Sequence, residues 1–149
     1  MNSSTATTVL NNRNSMFTNY DTSKVFIRKC NFETGNFAND GYDDVTLGMG
    51  TLMGRISATG DLTPLVSGAS DGSQYPVGIL AENLVVEAGN EATINICIEG
   101  EVDSSKLILD AGDTLSTVID GRQLRDRINA DTLGIKLTYV DELSGTDNQ

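Results

Sequence analysis

Apolar and polar residues alternate most regularly at Ile94, Ile96 and Ile98, with Asn95, Cys97 and Glu99 between them. A period of two describes a half-buried strand with one polar face, and Gly100 is expected to break it. Val25-Phe26-Ile27-Arg28-Lys29-Cys30-Asn31-Phe32 reads as another strand, with Val25 and Ile27 on one face and Phe26, Arg28, Cys30 and Phe32 on the other. Residues 33–44 carry Gly35, Asn39, Asp40, Gly41, Asp43 and Asp44 and read as a loop. Gly48, Gly50 and Gly54 then punctuate an apolar stretch in which Leu52 and Ile56 share a face, so another backbone is expected to come close at Gly54. After a turn at Ala58-Thr59-Gly60-Asp61 the chain returns through 62–66. Pro64 cannot donate to a ladder, which places this strand at an edge or makes it start late.

Residues 67–74 form a polar loop with an Asp71-Gly72 turn. Val77-Gly78-Ile79-Leu80 is wholly apolar, which predicts burial on both faces, with Gly78 at a bulge or a tight contact. Leu84-Val85-Val86 leads to a turn at Ala88-Gly89-Asn90. Asp103-Ser104-Ser105 can cap a short turn before Leu107-Ile108-Leu109. One helix is predicted, over about 121–131, capped by Asp120, with Leu124 and Ile128 on its buried side. Arg122, Arg125 and Arg127 give that helix a basic outer face, either solvated or turned to an acidic groove on a neighbouring subunit. Gly134 is its expected C-cap, and Ile135-Lys136-Leu137-Thr138-Tyr139-Val140 is a last alternating strand. The fold class is therefore mainly β, a domain over 21–141 with one short helix, preceded by an arm over 1–20 and followed by a polar tail over 142–149.

Composition narrows this picture. The 149 residues suit one domain, but the apolar fraction is 38%, the aromatic fraction 5%, and Trp is absent. Such a core is built from Val, Ile, Leu and Ala, and a thin core favours oligomerisation. A net charge of −11 argues against nucleic acid as a partner, since counterion displacement needs a basic surface. The charge is uneven: Arg13, Lys24, Arg28 and Lys29 face the single acid Asp21 in residues 1–30. No apolar run is long enough for a membrane span, and the N-terminus has no signal-peptide pattern, so synthesis in a cytoplasm is the expectation. Cys30 and Cys97 lie in predicted strands without metal-ligand spacing and read as two reduced thiols.

Residues 1–20 are rich in Asn, Ser and Thr, with Val9, Leu10, Met16, Phe17 and Tyr20 as scattered anchors. They cannot bury enough apolar surface to offset ordering entropy by themselves. Two readings stand: a leader without a role, or an arm that orders on a partner by adding a strand, for which Thr7-Thr8-Val9 is suited.

No catalytic set is visible in the sequence; carboxylates paired in space, as in glycoside hydrolysis, stay open, with the scarcity of aromatic platforms speaking against them. The chain has no His, no phosphate loop follows Gly48-Met49-Gly50, and neither cysteine has an activating partner in sequence. Asp40, Asp43 and Asp44 lack the spacing and closing Glu of a calcium loop. No enzyme activity, cofactor or metal is expected.

One ordered succession adds to this. A glycine-bearing apolar hairpin is followed by a Ser/Asp/Gly loop and Val77-Gly78-Ile79-Leu80-Ala81. A spacer and a strand ending in Glu99-Gly100-Glu101-Val102 complete it. The succession over 50–109 resembles the lambda-type bacteriophage head decoration protein family. The resemblance implies a β-clip-like domain and a homotrimer on the outer surface of the virion head. It implies the major capsid protein as partner, and a role in stabilising the capsid against internal DNA pressure. It also implies that the N-terminal arm grips the capsid, which makes Thr7, Thr8, Val9, Leu10, Met16, Phe17 and Tyr20 the candidate capsid-binding residues. Tyr75, Pro76 and Val77 are candidate oligomer or core contacts. Two other classes stay open: a virion fibre, tail or receptor-binding module, against which the low aromatic count speaks mildly, and a trimeric enzyme of the β-clip type, whose substrate motifs are not visible.

Overall fold

The computed structural model describes residues 25–129 and 134–138. It is mainly β. The strands are β1 (Phe26–Ala38), β2 (Val45–Leu47), β3 (Leu52–Arg55), β4 (Leu62–Pro64), β5 (Pro76–Leu80), β6 (Leu84–Val86) and β7 (Glu91–Asp103). A 3-10 turn (Ser104–Lys106), β8 (Val118–Ile119), β9 (Arg122–Gln123), a helix α1 (Leu124–Ile128) and β10 (Gly134–Thr138) follow. The main sheet has the order β1-β7-β5-β3-β4, antiparallel throughout, and β10 joins β7 in parallel. Strands β2 and β6 form a separate ribbon, as do β8 and β9.

The central strands β3 and β5 and the middle of β7 are covered on both faces, which explains the continuous apolar runs. Successive residues go to different cores: Leu52, Ile79 and Cys97 to one, Met53, Leu80 and Ile96 to the other. The first core also takes Val25, Phe26, Leu65, Val102, Ile119, Leu124, Ile128 and Ile135, and the second Phe37, Leu47, Leu62, Val86 and Ile94. Each fully buried aliphatic side chain contributes about 1.5–3 kcal/mol, so without Trp the sheet gains its stability by using both of its sides. The polar face expected on β7 is present at Asn95 and Glu99, which are exposed, but not at Cys97 between them. Cys97 is completely buried, because the core that contains α1 and β10 residues covers that side.

Close approaches sit where the glycines predicted them. A Cβ on Gly54 would overlap the Ser73 carbonyl oxygen, and one on Gly78 would lie 2.7 Å from Ile96 Cδ1. The β3–β5 register shifts beside Gly54 and Gly78, as a bulge requires. Pro64 stands on β4, the last strand of the order, where a missing N–H costs nothing to a neighbour. The two ends of the sheet curl toward each other. Gly35 of β1 lies under the Leu62 side chain, and Asn36 Nδ2 donates to Asp61 Oδ1 at 3.0 Å.

Four expectations are corrected. Residues 33–38 are strand rather than loop. Regular pairing from Phe32↔Cys97 to Ala38↔Glu91 overrides the weak local propensity of Gly35 and Asn36. Gly100 does not end β7: with φ at +133° it bends the strand, which runs on to Asp103. The helix is five residues long, because Asp120 (φ 50°) and Gly121 (φ 82°) make the two-residue turn of the β8–β9 hairpin instead of a cap. Its cap position is Gln123, without a side-chain cap bond. Gly134 starts β10 rather than capping a helix. Leu124 and Ile128 are nonetheless its buried residues, and Asp103 caps the 3-10 turn, accepting from Ser105 N at 3.0 Å.

Candidate interaction surfaces

The arm residues Thr7, Thr8, Val9, Leu10, Met16, Phe17 and Tyr20 lie outside the described residues, as do Tyr139 and Val140. Tyr75, Pro76 and Val77 are described. Pro76 is buried at the start of β5, Tyr75 packs against the first core, and Val77 against the second. The Tyr75 hydroxyl donates to Asp120 Oδ2 in the β8–β9 turn. The Arg127 guanidinium lies 5.1 Å from the Tyr75 ring centroid, a cation–π distance, and donates to the Ile119 carbonyl from Nη2 at 2.6 Å and Nε at 3.1 Å. This cluster fastens the hairpin and α1 to the head of β5. Arg127 is thus partly built into the body, whereas Arg125 is exposed on the outer side of α1.

Three surface features remain. The first is a loop over 39–44. Asn39 is buried there, donating from Nδ2 to the Asp43 and Val86 carbonyls, both at 2.9 Å, and accepting from Gly41 N at 3.1 Å. That scaffold presents Tyr42, 99% exposed, among Asp40, Asp43 and Asp44. The loop is an Asn-organised turn, a role that the bare acidic spacing did not reveal.

The second is a groove of about 350 Å³ between β2, the start of β3, the end of β4 and the segment 108–110. Leu47, Leu52, Pro64, Leu65, Ile108 and Leu109 make it apolar. Ile108 is held there by the parallel bridge to Thr51 and is 46% exposed.

The third is a cleft of about 560 Å³ over the second half of β7 and its neighbours on either side, β1 and β10. Two cross-strand rows build it. In one, Arg28 of β1, Glu101 of β7 and Lys136 of β10 stand side by side; in the other, Asn31, Glu99 and Gly134 do. Arg28 Nε lies 2.7 Å from Glu101 Oε1, and the Thr138 hydroxyl donates to Glu101 Oε2 at 2.6 Å. The Thr138 bond, followed by the Arg28 and Lys136 charges, holds the Glu101 carboxyl below its ordinary value against some loss of hydration. Asn31 Nδ2 donates to Glu99 Oε1.

Glycine backbone in and between the rows packs tightly against its neighbours. Gly100 sits against β1 so closely that a Cβ would come 2.6 Å from Cys30 Cα, and a Cβ on Gly134 would lie 2.9 Å from Glu99 Cγ. Opposite Gly100, β1 bulges. Between the pairs Arg28↔Glu101 and Asn31↔Glu99, two residues of β1, Lys29 and Cys30, face the single residue Gly100, and Lys29 takes φ 55°. A left-handed backbone at a non-glycine residue costs on the order of 1–3 kcal/mol, and a bulge re-aims the side chain it carries. Lys29 is exposed and lines the cleft. Sequence reasoning missed this site because its residues come from three separate strands. The charge excess at Arg28 and Lys29 was its only visible trace.

The thiols belong to the body. Cys97 Sγ donates to the Glu99 carbonyl at 3.3 Å and Cys30 Sγ to the Glu101 carbonyl at 3.7 Å; both are free. Burial, and then the neighbouring Cys30, push the Cys97 thiol up to about 12. Among the described residues no group of three or more Cys, Asp or Glu side chains is arranged to hold a metal ion. No described helix is long and apolar enough to cross a membrane.

A family model described as bacteriophage lambda head decoration protein D matches residues 28–121. The match runs from the bulged part of β1 to the β8–β9 turn and covers more than half of the 149 residues. No curated protein sequence matches the chain.

Proposed function

The chain belongs to the bacteriophage lambda head decoration protein D family, and from that premise we propose that it binds the outer surface of a phage head as a homotrimer and stabilises the shell against packaged DNA. Head decoration is a structural role in the virion, and the mechanism is mechanical. The β domain, over 21–141, bridges neighbouring shell subunits. The arm, over 1–20, adds backbone hydrogen bonds and the apolar anchors Val9, Leu10, Met16, Phe17 and Tyr20 at a seam of the shell. Each such hydrogen bond contributes about 1 kcal/mol net, but three arms on one trimer act together: once the first is seated, the others bind at high effective concentration. The observation that carries the reading is the family match across the β body, together with an N-terminal segment too polar to form a core of its own.

The test is sedimentation of the full chain and of a variant lacking residues 1–20, each alone and with undecorated heads. The full chain is expected to sediment as a trimer and to saturate the heads. The shortened chain is expected to remain a folded trimer that stays in the supernatant. Retained binding by the shortened chain would move the attachment to the β body, and a monomeric full chain would remove the cooperative part of the mechanism.

A further inference from the structure

The β1–β7–β10 cleft is an unusual place on a protein of net charge −11. Arg28, Lys29 and Lys136 line it with two carboxylates, Glu99 and Glu101. Those carboxylates are already engaged. Glu101 uses both oxygens, on Arg28 and Thr138, and Glu99 accepts from Asn31. Arg28 is committed to Glu101. Lys136 acts on Glu101 only through its charge, and Lys29 makes no hydrogen bond or ion pair among the described residues. Two exposed ammonium groups therefore stand in one cleft, and one of them is carried on a bulge with a left-handed lysine.

We propose that this cleft is a second attachment site, which receives a carboxylate-bearing segment of the shell protein between Lys29 and Lys136; the proposal rests on the head-decoration reading above. A protein strand fits better than a dense polyanion. A nucleic acid would bring a row of phosphates past Glu99 and Glu101 and into the field of an acidic body. An Asp or Glu side chain brings one charge to two ammonium groups that have no other ion-pair partner among the described residues. The contact is electrostatic, so it acts mainly on the rate of capture and on orientation and is weakened by salt. It complements the arm: the cleft sets how the domain meets the shell, and the arm secures it.

The experiment compares full-length wild type with Lys29→Glu/Lys136→Glu for binding to undecorated heads across a salt series. Lys106→Glu/Arg125→Glu, two exposed positions away from the cleft, serves as a control with the same change in net charge. The expected result is a loss of about tenfold or more in head affinity for the cleft variant at low salt, with a flattened salt dependence, while the control stays near wild type. If the cleft variant loses its cooperative unfolding transition, Lys29→Gln/Lys136→Gln replaces it, with a smaller loss expected in the same direction. Equal binding by wild type and the folded cleft variant would overturn the cleft while leaving decoration intact. An equal loss in the control would reduce the effect to net charge and overturn it as well. Failure of wild type itself to bind heads would remove both the cleft and the function it rests on.

Discussion

The two halves of β7 are one strand with two uses. From Glu91 to Cys97 its pairing with β1 is regular, Ile94 and Ile96 are buried, and β5 lies on its other edge. From Glu99 to Asp103 the pairing with β1 is bulged, β10 replaces β5, and Glu99 and Glu101 stand in an open cleft. Gly100, at φ +133°, follows Glu99 at the start of the second stretch. The contrast shows how a small domain with a thin core divides its labour. Regular pairing and apolar alternation are concentrated where two cores must be held apart. Along β7 and its partner β1, the bulge, the positive-φ glycine and the left-handed lysine fall in the stretch where charged groups are displayed.

Substitutions can break or sharpen that contrast. The largest effect is expected in the regular half. Ile96→Asp would place an unpaired carboxylate at a site 1% exposed and should cost more than about 4 kcal/mol, enough to abolish cooperative urea unfolding. Stability near wild type would mean that the two cores are not held by this strand. Next comes Gly54→Ala, whose methyl group would meet the Ser73 carbonyl. A loss of about 1–3 kcal/mol by the same assay is expected, and a neutral result would show that the 67–74 loop yields freely.

Cys97 probes the junction of the two halves through pH. Its thiol is raised to about 12 in the folded chain from an ordinary 9.0, so the unfolded chain loses its proton first. Stability should be unaffected below pH 9 and should fall by about 1.4 kcal/mol per pH unit above it, up to the folded value. Comparing wild type with Cys97→Ala isolates the slope, which should be shallower in the variant. Parallel curves would mean that the thiol is hydrated. The smallest effect belongs to the displayed half. Glu101 is held below its ordinary value of 4.5, so its stabilising contribution is present above that pH and disappears as pH falls through the lowered value. Glu101→Gln should cost about 1 kcal/mol or less at neutral pH and flatten the acid limb of the stability curve. A loss as large as that of Ile96→Asp would erase the distinction between the two halves.

What was legible in the sequence follows the same division. The alternation at Ile94, Ile96 and Ile98, the doubly buried β5, the edge position of Pro64 and the close approaches at Gly54 and Gly78 all follow from local rules of burial and sterics, and each is found. Residues 33–38 were misread because their strand state comes from β7 and not from their own propensity. The Asp120-Gly121 pair carried its hairpin signal openly, but the helical spacing of Leu124 and Ile128 outweighed it. The cleft was illegible for a topological reason. Lys29 and Lys136 are more than a hundred positions apart in sequence and share a site only because β10 comes back to lie along β7. Periodicity reports which face a residue takes, and it is silent on which strands become neighbours.

The central claim is that this chain covers a phage head, and the most direct measurement is its copy number relative to the major capsid protein in purified virions, by quantitative mass spectrometry. Comparable copy numbers are the predicted result. A handful of copies per particle would make the chain a tail or fibre component, and its absence from virions would contradict the account.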